Sequence, residues 1–266
     1  MNYAEEKVGG KFSSSKRFDR IDPRKIPAFP KTPYLPHNAN VLSDDIIASE
    51  KDSNIIFSQK SYFEEKIDGS SVGIRLENGH FVVRNRNNIL SKGYVKKETP
   101  AKLQFRSIWN FAEENRSNFE KLEEMIGFTP TVYGEWLYAK HTIHYNMLPS
   151  LFIAYDLYDF EKQLFVSPKL YRYAFRECGF SLPNTFGPHK ECPPSDTLQP
   201  NSYEELETMI AKKSPWSDEK VEGVYIKVVN EADNAIISRF KIVRPDFHPD
   251  DKWNEKEIIK NKLAKE

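Results

Sequence analysis

Apolar positions recur with two different periods along the chain, and the change of period divides it into elements. Period two runs through Val72, Ile74 and Leu76, through Phe81 to Val83, and across residues 131–137, 151–158, 221–227 and 235–244. Each of these predicts a strand, and the last two predict one hairpin. Residues 54–63 (NIIFSQKSYF) predict a further strand leading towards Lys66. Across residues 99–126 the period lengthens to about 3.6, with Leu103, Ile108, Phe111, Phe119, Leu122 and Ile126 on one apolar face and Gly127 as terminator. One long helix or two broken ones satisfy that pattern. Ser167-Pro168 opens another helix as cap and first residue, ended by Gly179, and Ser202-x-x-Glu205 is a capping box opening a helix to about Lys213.

Polar and proline-rich stretches separate these elements. Residues 1–22 are polar and basic, a flexible arm with Lys16 and Arg17 in it. Pro23, Pro27, Pro30, Pro33 and Pro36 favour an extended segment hugging the surface, and the prolines of residues 183–200 mark a loop. The charged stretch from Asp250 to Glu266 predicts a short helical extension. The expected organisation is therefore a basic, proline-rich arm over 1–50, a main domain over 51–248 and a C-terminal extension over 249–266.

With 266 residues and 39% hydrophobic content, the chain can bury one good core. Its 39 basic and 39 acidic residues cancel, so a nucleic-acid partner would have to be met by cations gathered into a local groove. Cys178 and Cys192 fit neither a zinc site nor a disulfide framework, and His189 three residues before Cys192 reads as a loop histidine. No apolar run approaches the roughly 18 residues that cross a membrane, and the first 20 residues lack a signal-peptide core, which predicts an intracellular protein, cytoplasmic or nuclear, with no membrane partner.

The candidate chemistry centres on residues 64–75, EEKIDGSSVGIR, which place Lys66 at a strand end followed by Asp68 and Gly69. An ordinary lysine, with a pKa of about 10.4, is almost wholly protonated near neutrality. A nucleophilic amine must be held down by burial or nearby cations. Arg84 and Arg86 close the second strand, where an arginine is either a solvated edge charge or a phosphate clamp. Glu135 and Asp156 stand in otherwise apolar strands, and a carboxylate there either faces solvent or faces a ligand. His141-x-x-His144 has no further ligands beside it and reads as packing or substrate contact.

Taken in order, Lys66 in KIDG, Arg86, Glu135 in YGEWL, Tyr155-Asp156 in FIAYDLYD, Glu222 in EGVYIK and Arg239-Phe240-Lys241 resemble the motif set of the covalent nucleotidyltransferases. The resemblance runs from about residue 60 to 245 and is strongest to ATP-dependent RNA ligases of the nick-sealing type. It implies an α+β nucleotidyltransferase fold, two antiparallel sheets with flanking helices and a nucleotide groove between them. It also implies ATP and Mg²⁺ or Mn²⁺ as cofactors, RNA with nicked or broken ends as substrate, and an end-healing kinase or phosphatase as a companion. Lys66 would be adenylylated, with Asp68 beside it in the signature. Lys241, with Arg239 or Lys227, would supply charge at the phosphates, and Asp156 would join the nucleotide site. Glu135 would meet the ribose, Tyr155 would stack on adenine, Glu65 would lie near its amino group, Glu222 near the metal, and Arg86 at phosphate in sealing.

Two departures guide the branch. DNA ligases and capping enzymes usually carry an arginine where this chain has Ser71. They also carry an oligonucleotide-binding barrel after the last motif, whereas about 22 residues follow Arg244 here, too few for a domain of about 50. Both favour an RNA ligase over its rivals, a small DNA-nick ligase and a nucleotide- or RNA-binding protein with an inactive site.

Overall fold

The alternating stretches become eight strands among the described residues of the computed structural model, and every ladder between them is antiparallel. The structure describes residues 26–36, 38, 41, 45–92, 100–186, 200, 202–250 and 257–264. Lys16, Arg17, His189 and Cys192 lie outside them. In chain order come α1 (Glu50–Ser53), α2 (Ile55–Ser58), β1 (Ser61–Lys66), β2 (Ser70–Glu77), β3 (His80–Asn85), α3 (Pro100–Leu103), α4 (Ile108–Glu114) and α5 (Arg116–Ile126). Then follow β4 (Thr131–Trp136), β5 (Phe152–Asp159), β6 (Leu164–Phe165), α6 (Pro168–Glu177), α7 (Tyr203–Ile210), β7 (Gly223–Asn230) and β8 (Ala235–Val243). Two sheets result, one in the order β1-β7-β8 and one in the order β3-β2-β4-β5-β6. This is the α+β architecture of paired antiparallel sheets that the sequence implied.

Local chemistry accounts for the boundaries. Asn78 and Gly79 join β2 to β3 with φ of 49° and 75°, the left-handed pair whose twist suits a two-residue hairpin. Gly127 ends α5 at φ 78°, its N–H bonded to the Glu123 carbonyl at 2.9 Å. Ser202 caps α7 by accepting from the Glu205 N–H at 3.3 Å.

Four expectations need correction. Residues 55–58 are helical, because Ser49 caps a first turn and Ile56 buries itself under the three-stranded sheet; the strand begins only at Ser61. The long helical pattern breaks into three pieces, Asn115 closing α4 and opening α5 while its side-chain amide bonds the Phe111 carbonyl at 2.8 Å. Residues 257–264 are extended rather than helical. They dock along residues 138–148, where Lys262 N–H meets the Tyr145 carbonyl at 2.9 Å and the Asn261 amide bonds the Leu137 and Ala139 carbonyls, satisfying loop backbone that would otherwise be buried unpaired. Finally, residues 26–36 do not merely hug the surface. Ile26 and Leu35 are fully buried, and residues 33–35 run beside β8 through bonds from Lys241 N–H to Pro33 and from Leu35 N–H to Lys241. A division at residue 50 therefore cuts through packed structure.

The five-stranded sheet packs α4, α5 and α6 over one main apolar cluster, containing Ile74, Phe119, Leu122, Trp136, Phe152 and Phe175. The three-stranded sheet is covered on its other side by α2 and α7, where Phe63, Ile226 and Phe240 meet Ile56 and Leu206. Where the sheets face each other, charged side chains replace part of the apolar filling, and the site forms there. Among the described residues no helix is long and apolar enough to cross a membrane.

Candidate active site

β1 carries Tyr62, Glu64 and Lys66 on one face by strand alternation, and Lys66 is its last residue, opposite Gly223 at the start of β7. The approach there leaves no room for a side chain, since a Cβ on Gly223 would lie 2.0 Å from the Ile242 carbonyl oxygen. Glu222, the preceding residue, is thereby brought to Lys66: its Oε1 lies 2.6 Å from Lys66 Nζ. Glu222 Oε2 is buried with no hydrogen-bond partner.

A cleft of about 1210 Å³ opens at this point, lined by Lys66, Glu65, Glu135, Tyr155, Lys241 and Arg86 among others. Glu135 reaches it from β4, opposite Ser71 of β2. Gly69 is required beneath it, because a Cβ there would meet Leu137, the Glu135 side chain and the Trp136 carbonyl, all within 3.0 Å. Burial, with Glu222 and Asp68 nearby, pushes the Glu135 carboxyl up to about 8, against relief from Lys66. Glu222 is raised to about 7, again chiefly by burial. Lys241 is lowered to about 8 by burial and by the charge of Lys66, and its ammonium sits 3.8 Å from the centre of the Tyr34 ring.

Lys66 itself departs from expectation. Burial works to lower the Lys66 pKa, but Glu222, Glu135 and Asp68 outweigh it, and the amine stands above the ordinary lysine value. In the unliganded cleft Lys66 is an ion-paired ammonium. A sequence shows the neighbouring cations of the motif set as readily as its carboxylates, but not which of them is nearest.

The other expected residues divide by position. Tyr155 lies at the cleft with its hydroxyl 2.6 Å from Ser71 Oγ and the Phe29 ring edge-on at 5.3 Å. Glu65 is held by Asn184 Nδ2 at 2.6 Å, while its Oε1 is buried without a partner, and burial raises its pKa. Arg86 is exposed in the turn after β3. Asp68, Asp156, Glu222, Lys227 and Arg239 do not line the cleft, and Glu222 is joined to it through Lys66. Asp68 turns away to accept the Thr142 and Ile143 N–H groups at 2.7 and 2.8 Å, so it positions the loop behind the signature. Lys227 is wholly buried, donating to Glu64, the Tyr155 carbonyl and the Tyr171 hydroxyl and pairing with Asp156 Oδ1 at 3.2 Å. Arg239 pairs with Asp156 Oδ2 at 3.1 Å and lies against the Phe165 ring. His141 and His144 serve separate ends, His141 Nε2 near Ser70 Oγ at 3.4 Å and His144 Nε2 on the Lys260 carbonyl at 3.2 Å.

Asn184, Phe29 and Gln104 were not singled out by sequence reasoning, and Ser71 entered it only as a departure from related families. Ser71 alone carried a signal, as the residue that replaces an arginine. Among the described residues no three His, Cys, Asp or Glu side chains gather to hold a metal.

The comparisons agree with this geometry. The family model for RNA ligase matches residues 59–243. A solved Naegleria gruberi RNA ligase with PPi superposes with a TM-score of 0.52 at 17% identity, over 82% of this chain and 60% of that one. A point mutant of the same ligase with ATP and Mn gives 0.51 at 16%, over 78% of this chain and 54% of that one. This chain thus spans between about half and three-fifths of their length, and at such identity the likeness is one of fold. No curated protein matches the chain. The matched segment begins just before the lysine-bearing strand and ends with β8, taking in both sheets and the cleft between them, and on that match the chain belongs to the RNA ligase family.

Proposed function

We propose that this chain is an ATP-dependent RNA ligase that joins 3′-hydroxyl and 5′-phosphate ends through an adenylylated Lys66. The observation that carries the reading is the contact of the cleft's Lys66 amine with a buried carboxylate, Glu222, whose second oxygen has no hydrogen-bond partner. A buried, unsatisfied oxygen with a raised pKa fits a cation ligand. With no three-carboxylate cage among the described residues, a hard cation would be held by Glu222 together with substrate phosphates, as Mg²⁺ commonly is. Mg²⁺ or Mn²⁺ held there would neutralise charge on the phosphate oxygens and offset the carboxylate that now keeps Lys66 protonated.

The chain's own groups account for the rest. The neutral Lys66 amine attacks the α-phosphorus of ATP, forming the N–P bond as the P–O bond to pyrophosphate breaks. Lys241 stands where its charge meets the phosphates, Tyr155 offers its ring to the adenine, and Glu135 accepts from the ribose hydroxyls. A 5′-phosphate oxygen then displaces Lys66 from the AMP phosphorus, and the departing amine takes up a proton. A 3′-hydroxyl finally attacks the activated 5′-phosphorus, forming the new ester as AMP leaves. The reaction consumes a 5′-phosphate, so an end-healing kinase or phosphatase must act first wherever breakage leaves other termini.

Incubation with α-labelled ATP and Mg²⁺, followed by denaturing electrophoresis, tests the reading: acid-labile label should stay with the chain. A chain that takes no label overturns it. Nicked duplexes with ribonucleotides or deoxyribonucleotides on the 3′-hydroxyl side then decide the substrate, and faster sealing of the all-DNA nick would favour a DNA ligase.

A further inference from the structure

The cleft is larger than the roughly 300–1,000 Å³ of an ordinary small-ligand site, and its two ends differ in charge. Its lining carboxylates, Glu64, Glu65 and Glu135, all belong to the Lys66 end. The other wall, built from the turn after β3 and from residues 102–110, presents Arg86, Lys102, Arg106, Trp109, Asn85 and Asn88, with no carboxylate among its described lining residues. In a chain with equal numbers of acidic and basic residues, that separation is a property of the fold and not of the composition.

The wall is also built rather than loose. Asn85 Oδ1 accepts from the N–H groups of Asn87 and Asn88 at 3.1 and 2.8 Å, fixing the turn that carries Arg86. Gln104, nearly buried, ties the other half to the site. Its carbonyl accepts from Trp136 Nε1 at 2.6 Å and its side-chain oxygen from Ser70 Oγ at 3.2 Å. Trp109 packs against the main apolar cluster and yet lines the cleft, so its ring is supported by the core while remaining open to the groove. A supported aromatic face beside cations is the arrangement that holds a nucleic-acid strand, the ring stacking a base and the cations following the backbone.

We propose that this wall is the track for the RNA strand bearing the 5′-phosphate, with Lys102, Arg106 and Arg86 on its phosphates and Trp109 stacked on its exposed terminal base. The assignment rests on the ligase reading and adds to it the surface by which this domain grips its substrate. The asparagine amides lie where they can meet base edges or the 2′-hydroxyl.

The test is anisotropy of a 5′-phosphorylated, fluorescent oligoribonucleotide across a salt series, without ATP, set beside label transfer from ATP to Lys66 without RNA. Lys102 and Arg106 are exposed, so the double variant Lys102→Glu with Arg106→Glu should fold. It should bind RNA at least tenfold more weakly, with a salt slope shallower by about 1.4, two single-strand phosphate contacts' worth. Trp109→Ala should weaken binding about tenfold. Trp109→Phe, which keeps a ring on the core, should recover most of it. Unchanged affinity and slope in the double variant overturn the proposal. So does an equal loss of ATP labelling and RNA binding, which would assign the wall to the triphosphate. A wild-type chain that binds the oligonucleotide through these residues but takes no label sinks the ligase reading and leaves the strand track standing.

Discussion

Glu64 and Lys66 lie two residues apart on the same face of β1, and the structure treats their charges in opposite ways. Glu64, although it borders the cleft, belongs to an ion network with Arg172, Lys227, Asp156 and Arg239, in which each charge meets an opposite one. Lys227 there has three protons and four acceptors within reach. Lys66 belongs to a mouth in which Glu222, Glu135 and Glu65 share too few partners. Burial alone would raise every carboxyl in both places. Lys227 and Arg172 overturn that for Glu64, which is lowered, whereas Glu135 and Glu222 stay raised, to about 8 and about 7. The number of partners, more than depth, separates a structural charge from one left ready for a ligand.

The largest expected effect tests the mouth. Lys66→Ala should abolish label transfer from ATP, while Lys60→Ala should keep it. Its effect on stability should be small, because a Glu222 carboxyl already raised to about 7 can take up a proton once its partner is gone. Full labelling of the Lys66 variant would remove that residue from the chemistry.

The ion network should respond the other way. Lys227→Met leaves Glu64 and Asp156 buried against each other's charge and should cost about 3–5 kcal/mol of stability, read from denaturant midpoints. If Lys66→Met costs as much as Lys227→Met, the distinction between the two regions fails.

This contrast also marks how far the sequence could be read. Lys66, Glu135, Tyr155 and Lys241 were legible because each stands in a strand whose alternation and order match one motif set, and the hairpin of β7 and β8 was legible for the same reason. Lys227 and Lys241 sit in equally alternating runs, and only the packing of the second sheet over Lys227 makes one a core ion and the other a cleft ion. Asp68 looked catalytic beside its lysine, but two loop N–H groups some 74 residues on claim it. The charged tail read as helix because its docking surface, the 138–148 loop, is visible only once folded. Ile26 and Leu35 lay among prolines that signalled an extended chain and gave no hint of burial.

A pH series sharpens the comparison further. The unfolded chain gives up a carboxyl proton near 4.5, but folded Glu135 holds it to about 8. The folded state therefore binds the proton more tightly, and the wild-type chain should lose stability as pH rises from about 4.5 to 8. Glu135→Gln should flatten part of that decline. Glu64 has the opposite sign: its folded pKa is lowered, so its contribution is complete above about 4.5 and is lost as pH falls through the lower folded value. Glu64→Gln should lower stability at every pH, by leaving Arg172 and Lys227 short of a counter-charge, and should flatten the acid limb. Thermal midpoints from pH 4 to 9 read both, and parallel curves for wild type and Glu135→Gln would contradict the raised value.

The smallest effect concerns base choice, where a single unpaired oxygen in the mouth does the discriminating. Glu65 Oε2 is held by Asn184, leaving buried Oε1 free to accept from the exocyclic amine of an adenine stacked on Tyr155. Guanine would present a carbonyl oxygen to that carboxylate, and a lost or inverted hydrogen bond costs about 1–3 kcal/mol. ATP should therefore label Lys66 about tenfold better than GTP at pH 8. Burial raises the Glu65 pKa, so lowering the pH favours a protonated Oε1 that can donate to guanine, and the preference should narrow as pH falls. Glu65→Gln, which can donate at any pH, should show the narrowed preference throughout. Equal labelling by the two nucleotides at pH 8, or a preference untouched by Glu65→Gln, would move base selection away from this oxygen and leave Tyr155 as a stacking surface indifferent to the purine.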